Sequence, residues 1–141
     1  MTDALTIHEV SRRSGLPEPT LRYYEKIGLI DPVGRDESSG HRRYPPAAVE
    51  RIEALGCLRS SGMSVRDLRD YLRHLQGPDA PSLHELFRRN AERLDGEIER
   101  MRTRRRYLEL KADLWEARER GDAGAEHRTL TEIRSLLTEM N

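Results

Sequence analysis

The segment from Ser82 to Arg120 constrains the fold most, because it contains no proline and a single glycine, Gly96. Alternating steps of three and four residues along it select positions that are apolar except at His84 and Arg105. These positions are His84, Phe87, Ala91, Leu94, Ile98, Met101, Arg105, Leu108, Ala112 and Trp115. The spacing predicts a long helix with a coiled-coil seam. Since a lone helix so polar elsewhere is marginal in water, we expect it to pair with its copy in a homodimer.

The composition agrees with a shared core. Only 35% of the 141 residues are apolar and 35% are charged, which is too polar for one compact globule. The 25 basic and 25 acidic residues cancel, so any nucleic-acid contact must come from a local patch. The single cysteine, Cys57, excludes an intrachain disulfide framework and a multi-thiolate zinc site, which predicts a cytoplasmic protein. We expect no signal peptide and no membrane span, because no long apolar run occurs. We also expect no cofactor and no metal, because the five histidines show no paired spacing that would build a metal site with Cys57.

The N-terminal part is predicted to be a winged helix-turn-helix domain over residues 1–77. Thr6 and Glu9 have the spacing of a capping box that opens a first helix, ended by Gly15. Pro17 and Pro19 open a second, with Leu21, Tyr24 and Ile27 on one face. The polar stretch 36–40 between Val33 and Tyr44 is typical of a hairpin, or wing. Two further helices follow, with inward positions predicted at Val49, Ile52, Leu55 and Leu58, and at Leu68, Tyr71, Leu72 and Leu75.

The rest of the chain is predicted to be a dimerisation helix over residues 78–120 and a short C-terminal helix over residues 121–141. The break at 77–81 separates the long helix from the first domain, and the break at 121–124 ends it. The last helix has Leu130, Ile133, Leu137 and Met140 at helical spacing and could cap the pair. The fold class is therefore mainly α.

The second helix and the wing carry the side chains that suit a nucleic acid. Cations and phenolic hydroxyls hold phosphate oxygens, and they are concentrated at Thr20, Arg22, Tyr23 and Lys26 and at Arg42, Arg43 and Tyr44. Taken singly, these residues have another interpretation, because arginine is abundant throughout the chain and tyrosine at helical spacing is often core. Taken together on a helix-turn-helix, they favour double-stranded DNA.

The stretches Ile7–Val10 to Gly15, Thr20–Leu29 and Gly40–Tyr44 closely resemble the N-terminal domain of MerR-family transcription regulators, over about residues 5 to 75. The resemblance implies DNA contacts by Arg22, Tyr23 and Arg43, and in second rank by Thr20, Tyr24 and Arg42. The long helix is similar in kind to that family's antiparallel dimerisation coiled coil. The sequence departs from the family where Pro17 and Pro45 replace polar helix caps.

The resemblance also implies a mechanism. A dimer grips promoter DNA whose spacer is too long, then bends and untwists it when the effector state changes, which realigns the promoter for RNA polymerase. Thiolate metal sensing is not expected, because no cysteine follows the long helix. Nor does the tail provide room for a separate ligand domain, so a small effector or none is expected.

Cys57 leaves three interpretations open. Its place in the third helix resembles the thiol- and aldehyde-responsive branch of the family, called NmlR- or AdhR-like, and such a sensor needs an exposed thiol with a cation such as Arg59 or Arg13 nearby. A free cysteine is more commonly a small buried hydrophobe, and a role in an interface is the third choice.

Other functions are less well supported. The basic run from Arg100 to Arg106 is interpreted as a solvated face, because glutamates lie three or four residues away. No catalytic motif indicates an enzyme. The alternative to a DNA-binding regulator is a coiled-coil interaction protein whose winged helix binds a protein partner.

Overall fold

The computed structural model describes residues 4–77 and 79–140, so Met1–Asp3, Pro78 and Asn141 lie outside it. Pro78 falls in the predicted break between the first two domains. The elements follow in the order α1 (Ile7–Ser14), α2 (Glu18–Lys26), β1 (Gly34–Arg35), β2 (Arg42–Arg43), α3 (Pro46–Ser60), α4 (Val65–Gln76), α5 (Ala80–Arg120) and α6 (Ala123–Met140). The mainly helical fold class is confirmed. By its contacts the chain forms two compact units, Met1–Phe87 and Arg88–Asn141.

Local signals set the helix ends in the first unit. The Thr6 side chain accepts a hydrogen bond from the Glu9 backbone N–H, and the Glu9 carboxylate accepts one from the Thr6 N–H, so the predicted capping box is present. Gly15 ends α1 with a φ of 76°, a conformation that glycine adopts without strain. Ser64 caps α4 by accepting from the Asp67 N–H. Pro17 and Pro45 occupy the N-caps of α2 and α3 and provide no side-chain bond there.

The core of the first unit contains one face of each of these helices. Fully buried side chains come from α1, α2, α3 and α4, namely Val10, Leu21, Tyr24, Ile52, Leu55 and Leu68. Helices α1 and α3 approach so closely that a Cβ built on Gly56 would lie 2.2 Å from the Ser14 carbonyl oxygen. Leu86 of α5 is also buried in this core. The first two turns of α5 therefore belong to the first unit, and the division falls within the helix rather than in the 77–81 break.

The wing is a small antiparallel ladder in which Gly34 pairs with Arg43 and Arg35 pairs with Arg42. An isolated bridge between Leu5 and Tyr44 continues it, with N···O distances of 2.9 and 2.8 Å. Because two residues per strand are too few for independent stability, the wing depends on contacts with the helices.

The second unit pairs α6 with the C-terminal half of α5. Leu110 and Leu114 of α5 and Ile133 of α6 form its buried cluster, and Tyr107, Leu130 and Leu136 pack at its edge. Two of the four residues predicted to form the apolar face of α6, Leu137 and Met140, are 40% and 41% exposed in the single chain. Leu136, rather than Leu137, packs against the cluster with α5. Both follow Ile133 at helical spacing, and the position of α5 decides between them.

Candidate nucleic-acid interface

Helix α2 divides its residues between core and surface as its period requires. Leu21 is fully buried and Tyr24 is 2% exposed, whereas Tyr23 between them is 52% exposed. Arg22 and Lys26 are also exposed, and Thr20 is half-buried. The predicted donors therefore stand on the outer surface of one helix.

Tyr24 is the exception among the predicted DNA contacts. Its ring lies in the core of the first unit, where it contacts the ring of Tyr23 with centroids 6.3 Å apart. The residue is only 2% exposed, so it presents little surface to a groove. The helical period that put Tyr24 inward is confirmed, and the DNA contact, which came from the family resemblance, stays a prediction that this burial does not favour.

The tip of the wing is organised by one carboxylate. Asp36 Oδ1 accepts hydrogen bonds from the Ser38 hydroxyl at 2.5 Å, the Ser38 N–H at 2.8 Å and the Ser39 N–H at 3.3 Å. Its other oxygen, Oδ2, lies 3.3 Å from a guanidinium nitrogen of Arg43. The Ser38 bonds, then that of Ser39 and the Arg43 contact, lower the pKa of Asp36 to about 2. Asp36 thus stabilises the turn at the wing tip and also positions the Arg43 side chain.

Arg42 is engaged with the second helix. Its Nε donates to Glu25 Oε2 at 2.9 Å, and the two side chains are only 23% and 18% exposed. Arg42 therefore lies beside the predicted DNA-contacting residues, but its guanidinium is bonded to Glu25 of the same chain.

Tyr44 lies beneath this pair. The residue is 1% exposed, and its hydroxyl is buried with no hydrogen-bond partner among the described residues. Burial, and next the negative charge of Glu25, raise the pKa of the Tyr44 phenol. Tyr44 is thus a core residue at the base of the wing and not a surface donor.

Helix α2 is also held at its C-terminal end from another helix. Arg69 of α4 donates from a guanidinium nitrogen to the Ile27 carbonyl oxygen at 2.9 Å. That carbonyl belongs to the C-cap, where intrahelical partners are lacking and a cation is favourable. Sequence reasoning missed Arg69, Glu25 and Asp36 as members of the site. Only Asp36, at the head of a turn, carried a local signal.

The three arginines predicted for DNA contact share one feature. Each lies beside a carboxylate: Arg22 is 3.5 Å from Glu18, Arg42 is paired with Glu25, and Arg43 is paired with Asp36. These pairs hold the guanidinium groups in place, and they also reduce the net positive charge of the surface.

Cys57 is exposed in α3, so its interpretation as a buried hydrophobe is not supported for the single chain. The two cations expected near it bond elsewhere. Arg59 donates to the Met63 carbonyl at 2.9 Å, and Arg13 lies 3.0 Å from Glu53. Across the described ranges, no group of three His, Cys, Asp or Glu side chains could hold a metal ion.

A second surface lies on the part of α5 within the second unit. Five large apolar side chains there are 36 to 67% exposed, and we call them the open stripe: Leu94, Ile98, Met101, Leu108 and Trp115. At about 100° per residue, the open stripe lies opposite the face of Leu110 and Leu114 that α6 covers. The helix thus has two apolar faces, and α6 fills one.

The charged residues near the open stripe are paired as the sequence indicated. Arg102 lies 2.7 Å from Glu99, Arg105 lies 3.1 Å from Glu109, and Arg106 lies 2.9 Å from Glu132 of α6. These exposed pairs agree with a solvated face for the basic run. No helix in the described part of the chain is long and apolar enough to cross a membrane.

Comparison with known proteins places these features in a family. Residues 5–75 match the model of the MerR HTH family regulatory protein. The regulator AdhR of Bacillus subtilis is 42% identical over 67 residues, covering 48% of this chain and 47% of AdhR, so the chain spans about half the length of that relative. The regulator HmrR of Rhizobium leguminosarum is 35% identical over 107 residues, covering 74% of this chain and 81% of HmrR.

Solved structures agree. HiNmlR, described as a MerR family regulator lacking the sensor domain and bound to promoter DNA, is 27% identical with a TM-score of 0.69, covering 87% of this chain and 95% of HiNmlR. A MerR family regulator from Listeria monocytogenes is 28% identical with a TM-score of 0.61, covering 97% of this chain and 99% of that one. By its winged helix-turn-helix, and by the share of the chain and of its relatives that match, this protein belongs to the MerR family of helix-turn-helix transcription regulators.

Proposed function

We propose that the protein binds promoter DNA through α2 and the wing. The observation that carries the proposal is the exposure of Tyr23, Arg22 and Lys26 on α2, while their neighbours Leu21 and Tyr24 are buried. Arg43 extends this set from the wing, and Thr20 lies at its edge. The promoter complex of HiNmlR supports the same role for this chain.

The test is a gel-shift and footprinting assay on the promoter upstream of the protein's own gene. Arg22→Ala and Arg43→Ala should each weaken binding and lower the slope of log affinity against log salt by about one. Arg102→Ala removes the same charge at an exposed site on α5 and should leave both quantities unchanged. Unchanged binding by both interface variants would remove their assigned roles. Absence of any salt-dependent affinity in the wild type would favour a protein partner instead.

The acting form is proposed to be a homodimer joined through the open stripe. Five exposed large apolar side chains on one face, opposite the face that α6 covers, favour a further partner, and a second copy supplies the same stripe. Arg105 interrupts the seam and would help to set register and direction.

Sedimentation at micromolar concentration should report a dimer. Ile98→Arg, which places a charge in the open stripe, should dissociate it, whereas Glu92→Arg, at an exposed position outside the stripe, should not. A wild-type monomer at that concentration would contradict the proposal, and so would an Ile98→Arg dimer of unchanged stability.

The dimer is further proposed to bend and untwist its promoter and so to align it for RNA polymerase. This step rests on family membership. Distorting DNA costs about a few kcal/mol, which the effector state must supply. A promoter with a shortened spacer should be transcribed without the protein in a purified system, and one with the natural spacer should need it. Equal dependence of both promoters would contradict this mechanism.

Cys57 is proposed as the site of an electrophile or thiol modification that sets this state. Two observations support it: the thiol is exposed, and Gly56 beside it lies at the close approach of α3 to Ser14 of α1. An adduct at Cys57 would thus act next to a contact with little room to adjust. Cys57→Ser should keep DNA affinity and lose the transcriptional response to aldehydes. Ser60→Ala, at another exposed position of α3, is the control, and a full response by Cys57→Ser would exclude the thiol.

A further inference from the structure

The wing has few means of holding its own position. Each of its strands is two residues long, and its tip from Asp36 to Gly40 is a turn. A ladder of this length is not stable by itself, so its place relative to α2 depends on contacts outside the hairpin. The described hydrogen-bonded contacts of this kind are the backbone bridge from Tyr44 to Leu5 and the pair formed by Arg42 and Glu25, and the side chains of Val33 and Tyr44 add apolar packing on the core.

The pair of Arg42 and Glu25 has the geometry of a support. It joins the first residue of β2 to the last turn of α2, across 17 residues of sequence, by a charge-assisted bond of 2.9 Å. Its side chains are 23% and 18% exposed, against 40% and 27% for the pair of Arg43 and Asp36 at the wing tip. Water therefore screens it less, and its partners have less freedom to leave.

The surroundings favour keeping this pair intact. The Tyr44 hydroxyl is buried without a hydrogen-bond partner among the described residues, and the Tyr44 ring is 1% exposed. Glu25 left without Arg42 would be an unpaired carboxylate whose side chain is only 18% exposed, which is costly. A DNA phosphate that drew Arg42 away would have to offset that cost.

From these contacts we infer that Arg42 and Glu25 form a strut that sets the spacing between the wing and α2, so that Arg42 is a positioning residue and not a phosphate contact. The inference rests on the proposed DNA-binding function and reassigns one residue predicted for it. Arg43, one residue later and more exposed, remains the phosphate contact of the wing.

The two roles of Arg42 predict opposite effects of changing Glu25. If Arg42 binds phosphate, Glu25→Gln removes a negative charge beside the DNA and should strengthen binding. If the pair is a strut, Glu25→Gln should weaken binding about three- to tenfold at one salt concentration, as Arg42→Met should. The double variant should then be no weaker than either single variant, because both remove the same support. The salt slope should stay unchanged, whereas Arg43→Met, the matched control, should lower it by about one.

Hydrogen exchange of the free full-length chain tests the strut without DNA. The Tyr44 and Leu5 amides donate to each other's carbonyl oxygens at the base of the wing. Their exchange should become several-fold faster in Arg42→Met and in Glu25→Gln, and should not change in Arg43→Met. The Val10 amide in α1 serves as the internal reference, and it also reports whether a variant is still folded.

The possible outcomes test the strut and the proposed DNA-binding function separately. Tighter binding by Glu25→Gln, a salt slope lowered by Arg42→Met, or unchanged exchange at Leu5 and Tyr44 would each overturn the strut. A wild type that binds no DNA while the two strut variants exchange faster at the wing would refute the proposed function and leave the strut standing.

Discussion

Replacing Gly56 by alanine should destabilise the first unit, although alanine is the better helix former. Gly56 lies within α3, where alanine is favoured over glycine by about 1 kcal/mol. Against this gain, the new methyl group would lie 2.2 Å from the Ser14 carbonyl oxygen and 3.1 Å from its carbonyl carbon. These are backbone atoms at the end of α1, so relief requires that one helix move relative to the other.

Overpacking of this kind costs about 1 to 3 kcal/mol in a well-packed core, and a clash with backbone belongs at the upper end. Subtracting the gain in helix propensity leaves a net loss of about 2 kcal/mol for Gly56→Ala. Near this chain length, that corresponds to a fall in Tm of about 5 to 8 °C. Thermal and urea unfolding followed by circular dichroism, at one fixed protein concentration, would measure it.

Gly96→Ala is the matched control, because a Cβ on Gly96 would meet only the flexible end of Arg100, at 3.4 Å. The same substitution should there raise stability by up to about 1 kcal/mol. A Gly56→Ala protein as stable as the wild type would refute the reasoning, since it would mean that α1 and α3 can separate without loss.

Three other predictions follow from single contacts. Thr6→Ala removes the capping box of α1 and should lower the free energy of unfolding by about 1 kcal/mol in urea titrations, while Thr138→Ala, near the end of α6, should have a smaller effect. Leu114→Ala should lower the free energy of unfolding by about 2 to 4 kcal/mol, since Leu114 is 2% exposed. Leu108→Ala is the control, and because Leu108 is 67% exposed in the single chain, the loss should be smaller when both are measured in the monomeric Ile98→Arg variant. Because the folded pKa of Asp36 is lowered to about 2, the stabilisation by its carboxylate is fully present above the ordinary pKa near 4 and is lost as the pH falls towards 2. Titration of the Asp36 carboxyl carbon by NMR should show a midpoint near 2. A midpoint near 4 would mean that the Ser38 and Arg43 bonds are absent in solution.

The helices and their caps could be predicted because their signals are local. A capping box needs only Thr6 and Glu9, and a Ser64 cap needs only the next three residues, so no distant partner affects the result. The same holds for the inward face of α2, where the helical period placed Leu21 and Tyr24 in the core. The DNA contact that the family resemblance added for Tyr24 has no local signal of this kind.

The supporting contacts of the site could not be predicted in this way. Arg42 meets Glu25 across 17 residues and Arg69 meets the Ile27 carbonyl across 42, and neither spacing has a periodicity. In a chain where 35% of residues are charged, many such pairs can be drawn, and only the folded positions of α2, α4 and β2 select these. The sequence alone can therefore predict which residue types suit DNA, but the structure is needed to tell the residues available to DNA from those that hold other residues in place.

Helix α5 shows the limit most clearly. In its C-terminal half, stripes at Leu108 and Trp115 and at Leu110 and Leu114 lie on opposite sides of the helix, and both are apolar. Periodicity alone assigns no partner to either stripe. The structure assigns α6 to the second stripe, and the first stripe is the one proposed above to pair with a copy of the chain. Because α6 packs on the Leu110 and Leu114 face only, disrupting it with Ile133→Asp should lower the stability of the second unit while the open stripe keeps its apolar side chains. Conversely, Ile98→Arg should break the proposed dimer and leave the packing of α6 on α5 intact, as the NMR chemical shifts of the Leu114 and Ile133 methyl groups and the unfolding midpoint of the monomer would report.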